Sequence, residues 1–386
     1  MGAYSFSTNP KLQWIDEIPD IQNWGGIPQC LNSHPGAITA LAAAQQGRIL
    51  ASVCRDGALR IWDLTTRQCL RTLREPSPTA SVNSVAFVEN ETILVTTATD
   101  CIAQLWDPAT GQCLQTLEGY TDLPTTVMFV EGRMLLSACY DSQVQLWDPV
   151  TSQCVRTLKG HVCPVRATTA TTDSKILATC SSDGTVQLWN PATGERLHRL
   201  TGHTASTADV AFSHDNNILA SSSSDGTVRL WDPQTGRCLH TLEGHTKTVT
   251  SVHFSPDDKV LASSSHDCTV RLWDLQSGDC LQVIKGHRGW VKCLAFTPNS
   301  RTLATGSTDR NVQLWDVSTG HCLQTLKEHS GCVSDIIFTQ GGHFLVTGSW
   351  DNTIRLWDLG GRLGSVGECW NPVCCHSTSS LGGVRE

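Results

Sequence analysis

The chain has 386 residues, 28 basic against 36 acidic side chains, and a formal net charge of −8. Polyanion binding draws on clustered Lys and Arg, so this balance argues against nucleic acid and anionic membrane surfaces as partners. No apolar run approaches the ~18–20 residues that cross a bilayer; the best is Ala37–Ala44.

The N-terminal Met1-Gly2-Ala3-Tyr4-Ser5-Phe6 has neither a basic start nor a long apolar stretch, and Phe6 stands where myristoylation wants Ser or Thr. A soluble, cytoplasmic protein is expected. Residues 1–26, with Asn9-Pro10, Trp14, Trp24 and Gly25-Gly26, read as an arm packed on a sheet edge, or alternatively as a linker from an effector module.

From residue 27 to residue 360 one pattern recurs. A Trp-Asp or Trp-Asn pair begins at Trp62, Trp106, Trp147, Trp189, Trp231, Trp273, Trp315 and Trp357, in steps of 44, 41 and then 42 residues. Six residues before each Trp stands Asp56, Asp100, Asp141, Asp183, Asp225, Asp267, Asp309 or Asp351. Four residues before each Asp is a hydroxyl: Ser52, Thr96, Ser137, Thr179, Ser221, Ser263, Thr305 or Thr347. Twenty-two residues before the Asp, six units carry His34, His161, His203, His245, His287 or His329. In units two and three the His position is taken by Pro78 and by Tyr120, the latter twenty-one residues before its Asp, so any hydrogen-bonded network there loses a donor and these two units are expected to be the softest.

Within a unit the period is that of antiparallel strands. Val249–Phe254, Val260–Ser265, Thr269–Trp273 and Cys280–Ile284 are separated by turn residues such as Pro256-Asp257-Asp258 and Ser277-Gly278. Four short strands per unit, repeated, fit radial blades that bury their faces against one another better than a sandwich.

The ends bear on ring closure. After Trp357 an outer strand falls due near residue 364, where Gly360-Gly361-Arg362-Leu363-Gly364 is a poor strand former. Ile27–Ser33 lies in outer-strand register before the first His, and Pro28 is tolerable on an edge. The N-terminal segment is therefore expected to complete the last blade and remove an open edge. Residues 361–386 read as a disordered tail. Its Cys369, Cys374, Cys375 and His376 lack a Cys-x-x-Cys knuckle, so no metal is expected, nor a cofactor. Cys69, Cys113, Cys154, Cys238, Cys280 and Cys322 recur seven residues after Trp; they are expected as small buried hydrophobes on separate blades, unbridged.

Ser221, His203 and Asp225 invite a hydrolase triad, but the same foursome with Trp231 recurs in six units. A hydrogen-bonded strut that ties loops to strands explains the repetition, and catalysis does not. No glycine-rich phosphate loop and no nucleophile elbow appears.

Gly244-His245 followed by Trp273-Asp274 resembles the WD-repeat β-propeller family over roughly residues 27–360. The resemblance implies an all-β ring of eight blades of four antiparallel strands, each unit giving the outer strand of one blade and three inner strands of the next; seven blades plus an extra unit is the alternative. It also implies that partners dock on the face holding the His and Asp loops. Positions three and five after the His, and the one before the Asp, are mostly small there, as at Ser206, Ala208 and Ser224. Trp290, Lys292, Trp350 and Arg55 are large, come from units seven, eight and one, and become neighbours once the ring closes. His266 adjoins them, and Tyr140 with Arg166 forms a second candidate. Exposed Trp and Arg are common interface anchors; the bland reading is that both indoles lie over a neighbouring loop.

The expected function is a non-catalytic scaffold or recognition module, monomeric, binding a protein or peptide with an acidic or aromatic residue. The near-uniform units also resemble bacterial, especially cyanobacterial-type, WD-repeat proteins, which makes a detached sensor module of a signalling NTPase or kinase the alternative. An enzyme using the central channel is the third reading, suggested only by residues such as His214 and His253.

Overall fold

The structure, a computed structural model, describes residues 29–31, 34–44, 47–74, 80–87, 93–118, 122–130 and 134–359. The N-terminal arm, Pro78, Tyr120 and the tail with Cys369, Cys374, Cys375 and His376 lie outside them. Among the described residues the chain forms eight antiparallel sheets of four strands each, with the innermost strands of successive sheets in contact around a closed ring. No described helix is long and apolar enough to cross a membrane. Blades are numbered 1 to 8 by the unit that supplies their three inner strands.

Blade 6 shows how sequence makes a blade. Val249–Phe254, Val260–Ser265, Thr269–Asp274 and Cys280–Lys285 run from the channel outward. Val252, Leu261, Ala262 and Leu272 are buried on alternate faces, because strands sandwiched between neighbouring blades have no solvent side. Each core cluster spans two adjacent blades; Val228, Leu230, Val249, Leu261 and Trp273 form the one between blades 5 and 6. Burying one such aliphatic side chain contributes about 1.5–3 kcal/mol, so each blade depends on both neighbours.

Closure follows the expected route. Gln29–Leu31 pairs antiparallel with Ile354–Asp358, with Cys30 opposite Arg355. Leu31 packs with Ile38, Leu50 and Ile354 in the core between blades 8 and 1. The N-terminal segment is thus the outer strand of blade 8. Seven blades with a spare unit is excluded, since all eight units build complete sheets.

One expectation fails. Cys69, Cys113, Cys154, Cys238, Cys280 and Cys322 are exposed, though unbridged. They lie on outermost strands, where Leu239 beside Cys238 is also exposed; no further blade layer covers that wall.

Candidate docking face

Beneath the upper loops, the repeated residues form a strut. In blade 5, Trp231 Nε1–H donates to Ser221 Oγ at 2.8 Å, and His203 contacts Ser221 through Nε2 at 2.9 Å and Asp225 through Nδ1 at 3.0 Å. A carboxylate only accepts, so Nδ1 carries the proton and Nε2 accepts from the hydroxyl. The same geometry joins His161, Thr179, Asp183 and Trp189. It recurs in His245, Ser263, Asp267 and Trp273, in His287, Thr305, Asp309 and Trp315, and in His329, Thr347, Asp351 and Trp357. Ser221 is 0% exposed, as are Thr179, Ser263, Thr305 and Thr347, so none of these hydroxyls can reach a substrate carbonyl.

Sequence reasoning missed the rest of the strut. Two residues before the Asp, a serine hydroxyl accepts the Asp amide, as Ser223 does from Asp225 at 3.1 Å. Two residues after it, Thr227 donates to Asp225 Oδ1 at 2.7 Å. The amide following the histidine, Thr204 N–H, caps Oδ2 at 2.9 Å. Burial alone would raise the Asp225 carboxyl, but Thr227, the Thr204 amide and the Thr227 amide hold it at about 2. Burial pushes His161, His203 and His245 below their ordinary value, against the pull of their aspartates.

Blade 1 departs from this plan. His34 Nε2 meets Ser52 at 2.7 Å and Trp62 donates to Ser52 at 2.8 Å, but His34 Nδ1 lies 2.9 Å from Cys54 Sγ, and the thiol contacts Asp56. Cys54 stands where blades 4 to 8 carry serine, Pro35 has no amide proton to offer, and Ala58 replaces the threonine. Burial, then Arg60, lowers His34 to about 4; burial, then the Asp56 carboxylate, pushes the Cys54 thiol to about 12.

The rim above the struts is built by two local devices. Each inner strand carries a bulge, between Val291 and Cys293 in blade 7 and between Val333 and Asp335 in blade 8, and a bulge re-aims the residue it leaves unpaired, here Lys292 and Ser334. The amide of the residue before each Asp bonds the carbonyl three after the His: Trp350 to Cys332 at 2.8 Å, Arg55 to Ala37 at 3.0 Å, His266 to Thr248 and Thr308 to Trp290 at 2.9 Å. These bonds fold both variable positions of a unit onto one loop surface.

Arg55, Lys292 and Trp350 come together, and Trp290 meets His266. The Arg55 guanidinium lies 5.1 Å and Lys292 Nζ 5.2 Å from the Trp350 ring centroid, one cation from each flanking blade. Trp290 stacks on His266, centroids 4.1 Å apart and planes 20° apart, and burial followed by Lys292 and Lys247 lowers the His266 pKa. Trp290 does lie against a neighbouring loop, yet it keeps 46% of its surface exposed and Trp350 keeps 42%. The second candidate is less open: Arg166 commits its Nε–H to Ser182 Oγ at 2.9 Å, and Tyr140 is half-buried. His214 is not a spare channel group either, since its Nδ1 pairs with Asp258 at 2.9 Å.

Two more groups escaped the sequence reading. Asp209 on the inner strand of blade 5 accepts from Ser251 Oγ at 2.7 Å and Val252 N–H at 3.1 Å of blade 6. Asp335 of blade 8 accepts Leu41 N–H of blade 1 at 2.9 Å. Burial raises both carboxyls to about 6.

Comparison with known proteins agrees with this architecture. The family described as WD domain, G-beta repeat matches residues 26–63, 67–107, 111–148, 152–190, 194–232, 236–274, 278–316 and 320–358. A crystal structure of the computationally designed Ika8 protein is similar, with 31% sequence identity and a TM-score of 0.77 over 85% of this chain and 98% of that one. No curated protein matches the sequence.

Proposed function

The chain belongs to the WD-repeat family, and from that premise we propose that it is a non-catalytic recognition module whose upper rim docks a protein segment bearing a carboxylate beside an aromatic or apolar side chain. The observation that carries this reading is the row formed by His266, Trp290, Lys292, Trp350 and Arg55 across four consecutive blades. Two half-exposed indoles supply apolar area at small entropic cost, and such residues dominate interface energetics. The cations over Trp350 are each held by about 0.5–1 kcal/mol at an exposed site, which aims them before a partner arrives. Their positive charge, on a chain of net charge −8, selects an acidic group and steers its approach. The small rim residues Ser206, Ala208 and Ser224 of blade 5 offer no comparable anchor.

The test is capture of partners from lysate by the full chain and by Trp290→Ala/Trp350→Ala/Arg55→Ala, with mass spectrometry of what is bound. A protein held by the first and lost by a variant with an unchanged thermal midpoint supports the reading. Equal retention by both places the partner elsewhere on the ring and refutes it.

A further inference from the structure

We propose that His34, Cys54 and Asp56 of blade 1 form a binding site for a zinc-type divalent cation, with one coordination position open at the upper rim. The Nδ1, Sγ and carboxylate oxygen of these residues all lie within 4.8 Å of one another. Imidazole, thiolate and carboxylate are the donors that zinc accepts, and three protein ligands with a water is its usual open arrangement. The inference is independent of what docks on the rim.

What singles out this cluster is a set of coordinated departures from the repeat. In blades 4 to 8 the carboxylate is saturated by the His Nδ1–H and by the following amide, as in His329, Ser330 and Asp351; in blades 4, 5, 6 and 8 a threonine hydroxyl joins them. Blade 1 has no amide proton at Pro35 and no hydroxyl at Ala58, and puts a thiol in the serine position. Each change removes a structural donor from Asp56 or adds a soft ligand beside it. The imidazole remains oriented from behind, because Nε2 meets Ser52 Oγ, itself fixed by the Trp62 N–H. With Nδ1 on a metal, Nε2–H donates to Ser52, the outer hydrogen bond that metal-bound histidines almost always make. His34 is 2% and Cys54 0% exposed, while Asp56 is only partly buried, so the cation would be closed below and open above. Gly36 keeps that opening clear: a Cβ there would stand 3.1 Å from Asp56 Oδ1.

The charges balance. Binding expels the Cys54 proton to solvent, and the thiolate and carboxylate together neutralise a dication, which suits a site that already feels the charge of Arg60. A cysteine-nucleophile reading of the same residues fails, because the sulfur is fully covered and reactive cysteines are accessible.

The experiment uses the full chain, stripped with chelator and titrated with Co²⁺ alone, reading the thiolate-to-cobalt charge-transfer absorption, then Zn²⁺ displacement. Cys54→Ser installs the residue that blades 4 to 8 carry, so folding is preserved; Asp56→Asn alters a partly exposed ligand. A Cys369→Ser/Cys374→Ser/Cys375→Ser chain isolates the tail. The expected result is one equivalent of cobalt in wild type and in the tail variant, no charge-transfer band in Cys54→Ser, and at least about tenfold weaker binding in Asp56→Asn. A wild type without the band, an unchanged band in Cys54→Ser, or loss only in the tail variant overturns the proposal. Should Cys54→Ser misfold by circular dichroism, Asp56→Asn decides, and unaltered affinity there refutes it.

Discussion

Blades 5 and 8 are alike below the rim and unlike on it. His203 sits 3.0 Å from Asp225 and His329 2.9 Å from Asp351; Trp231 donates to Ser221 at 2.8 Å and Trp357 to Thr347 at 3.0 Å. Above these struts blade 5 presents Ser206, Ala208 and Ser224, whereas blade 8 presents Trp350 between the Lys292 and Arg55 of its neighbours. The difference separates two tasks. Residues that recur every 42 positions hold loops to strands, and residues that recur in no other unit give the rim its chemistry.

The strongest attempt to break that division is His203→Ala. It leaves Ser221 and Asp225 without their shared partner in a buried site, and the expected cost is about 2–3 kcal/mol in chemical unfolding. Partner capture below the unfolding transition stays unchanged; its loss in a folded variant would mean that strut and rim are coupled. Trp350→Ala is the converse. Affinity for a captured partner should fall by about 2 kcal/mol, roughly thirtyfold, with stability altered by no more than about 0.5 kcal/mol.

Acid sharpens the contrast between the struts and the carboxylates that join one blade to the next. The folded pKa values of His34, His161, His203 and His245 lie below the ordinary 6.5. The unfolded chain therefore binds protons first, and the stability these groups contribute above pH 6.5 drains away below it. Asp209 and Asp335 act oppositely: at about 6 when folded against an ordinary 3.8, they favour the folded chain as pH falls from 6 toward 3.8. Asp225, Asp267 and Asp309, held at about 2, lose their contribution only below 3.8. Asp209→Asn/Asp335→Asn should thus lose stability more steeply than wild type between pH 6.5 and 4 in denaturant midpoints; an equal slope contradicts the assignment.

Blade 2 offers the smallest test. Both Asp100 carboxylate oxygens are buried without a partner among the described residues, where Ala98 and Ile102 replace the usual serine and threonine. Ala98→Ser restores an acceptor for the Asp100 amide and should stabilise by about 0.5–1 kcal/mol. Hydrogen exchange is expected to be faster in blades 2 and 3 than in blades 5 to 7.

Most of the ring was legible because a blade is a local object. The strands Val249–Phe254 and Val260–Ser265 fall where alternation and turn residues placed them, and the glycines after Trp357 pointed to closure by the N-terminal segment. The rim positions came from the family resemblance, and ring adjacency then set Trp290, Lys292, Trp350 and Arg55 on neighbouring blades. What escaped depended on context that period-2 patterning does not carry. An outermost strand alternates like an inner one, so the open wall at Cys69 and Cys238 left no trace. Cys54 drew no notice, because the missing amide at Pro35 is a backbone effect and matters only against the other seven units. Asp209 and Asp335 escaped because their partners belong to the next blade.

The most direct measurement is a hydrogen-exchange footprint of a captured partner on the full chain. The account predicts added protection in the loops holding Trp290, Lys292, Trp350 and Arg55, with none in the blade 5 loops around Ser206 and Ser224. Protection confined to blades 2 to 5, or to the outer strands around Cys69 and Cys238, would contradict it.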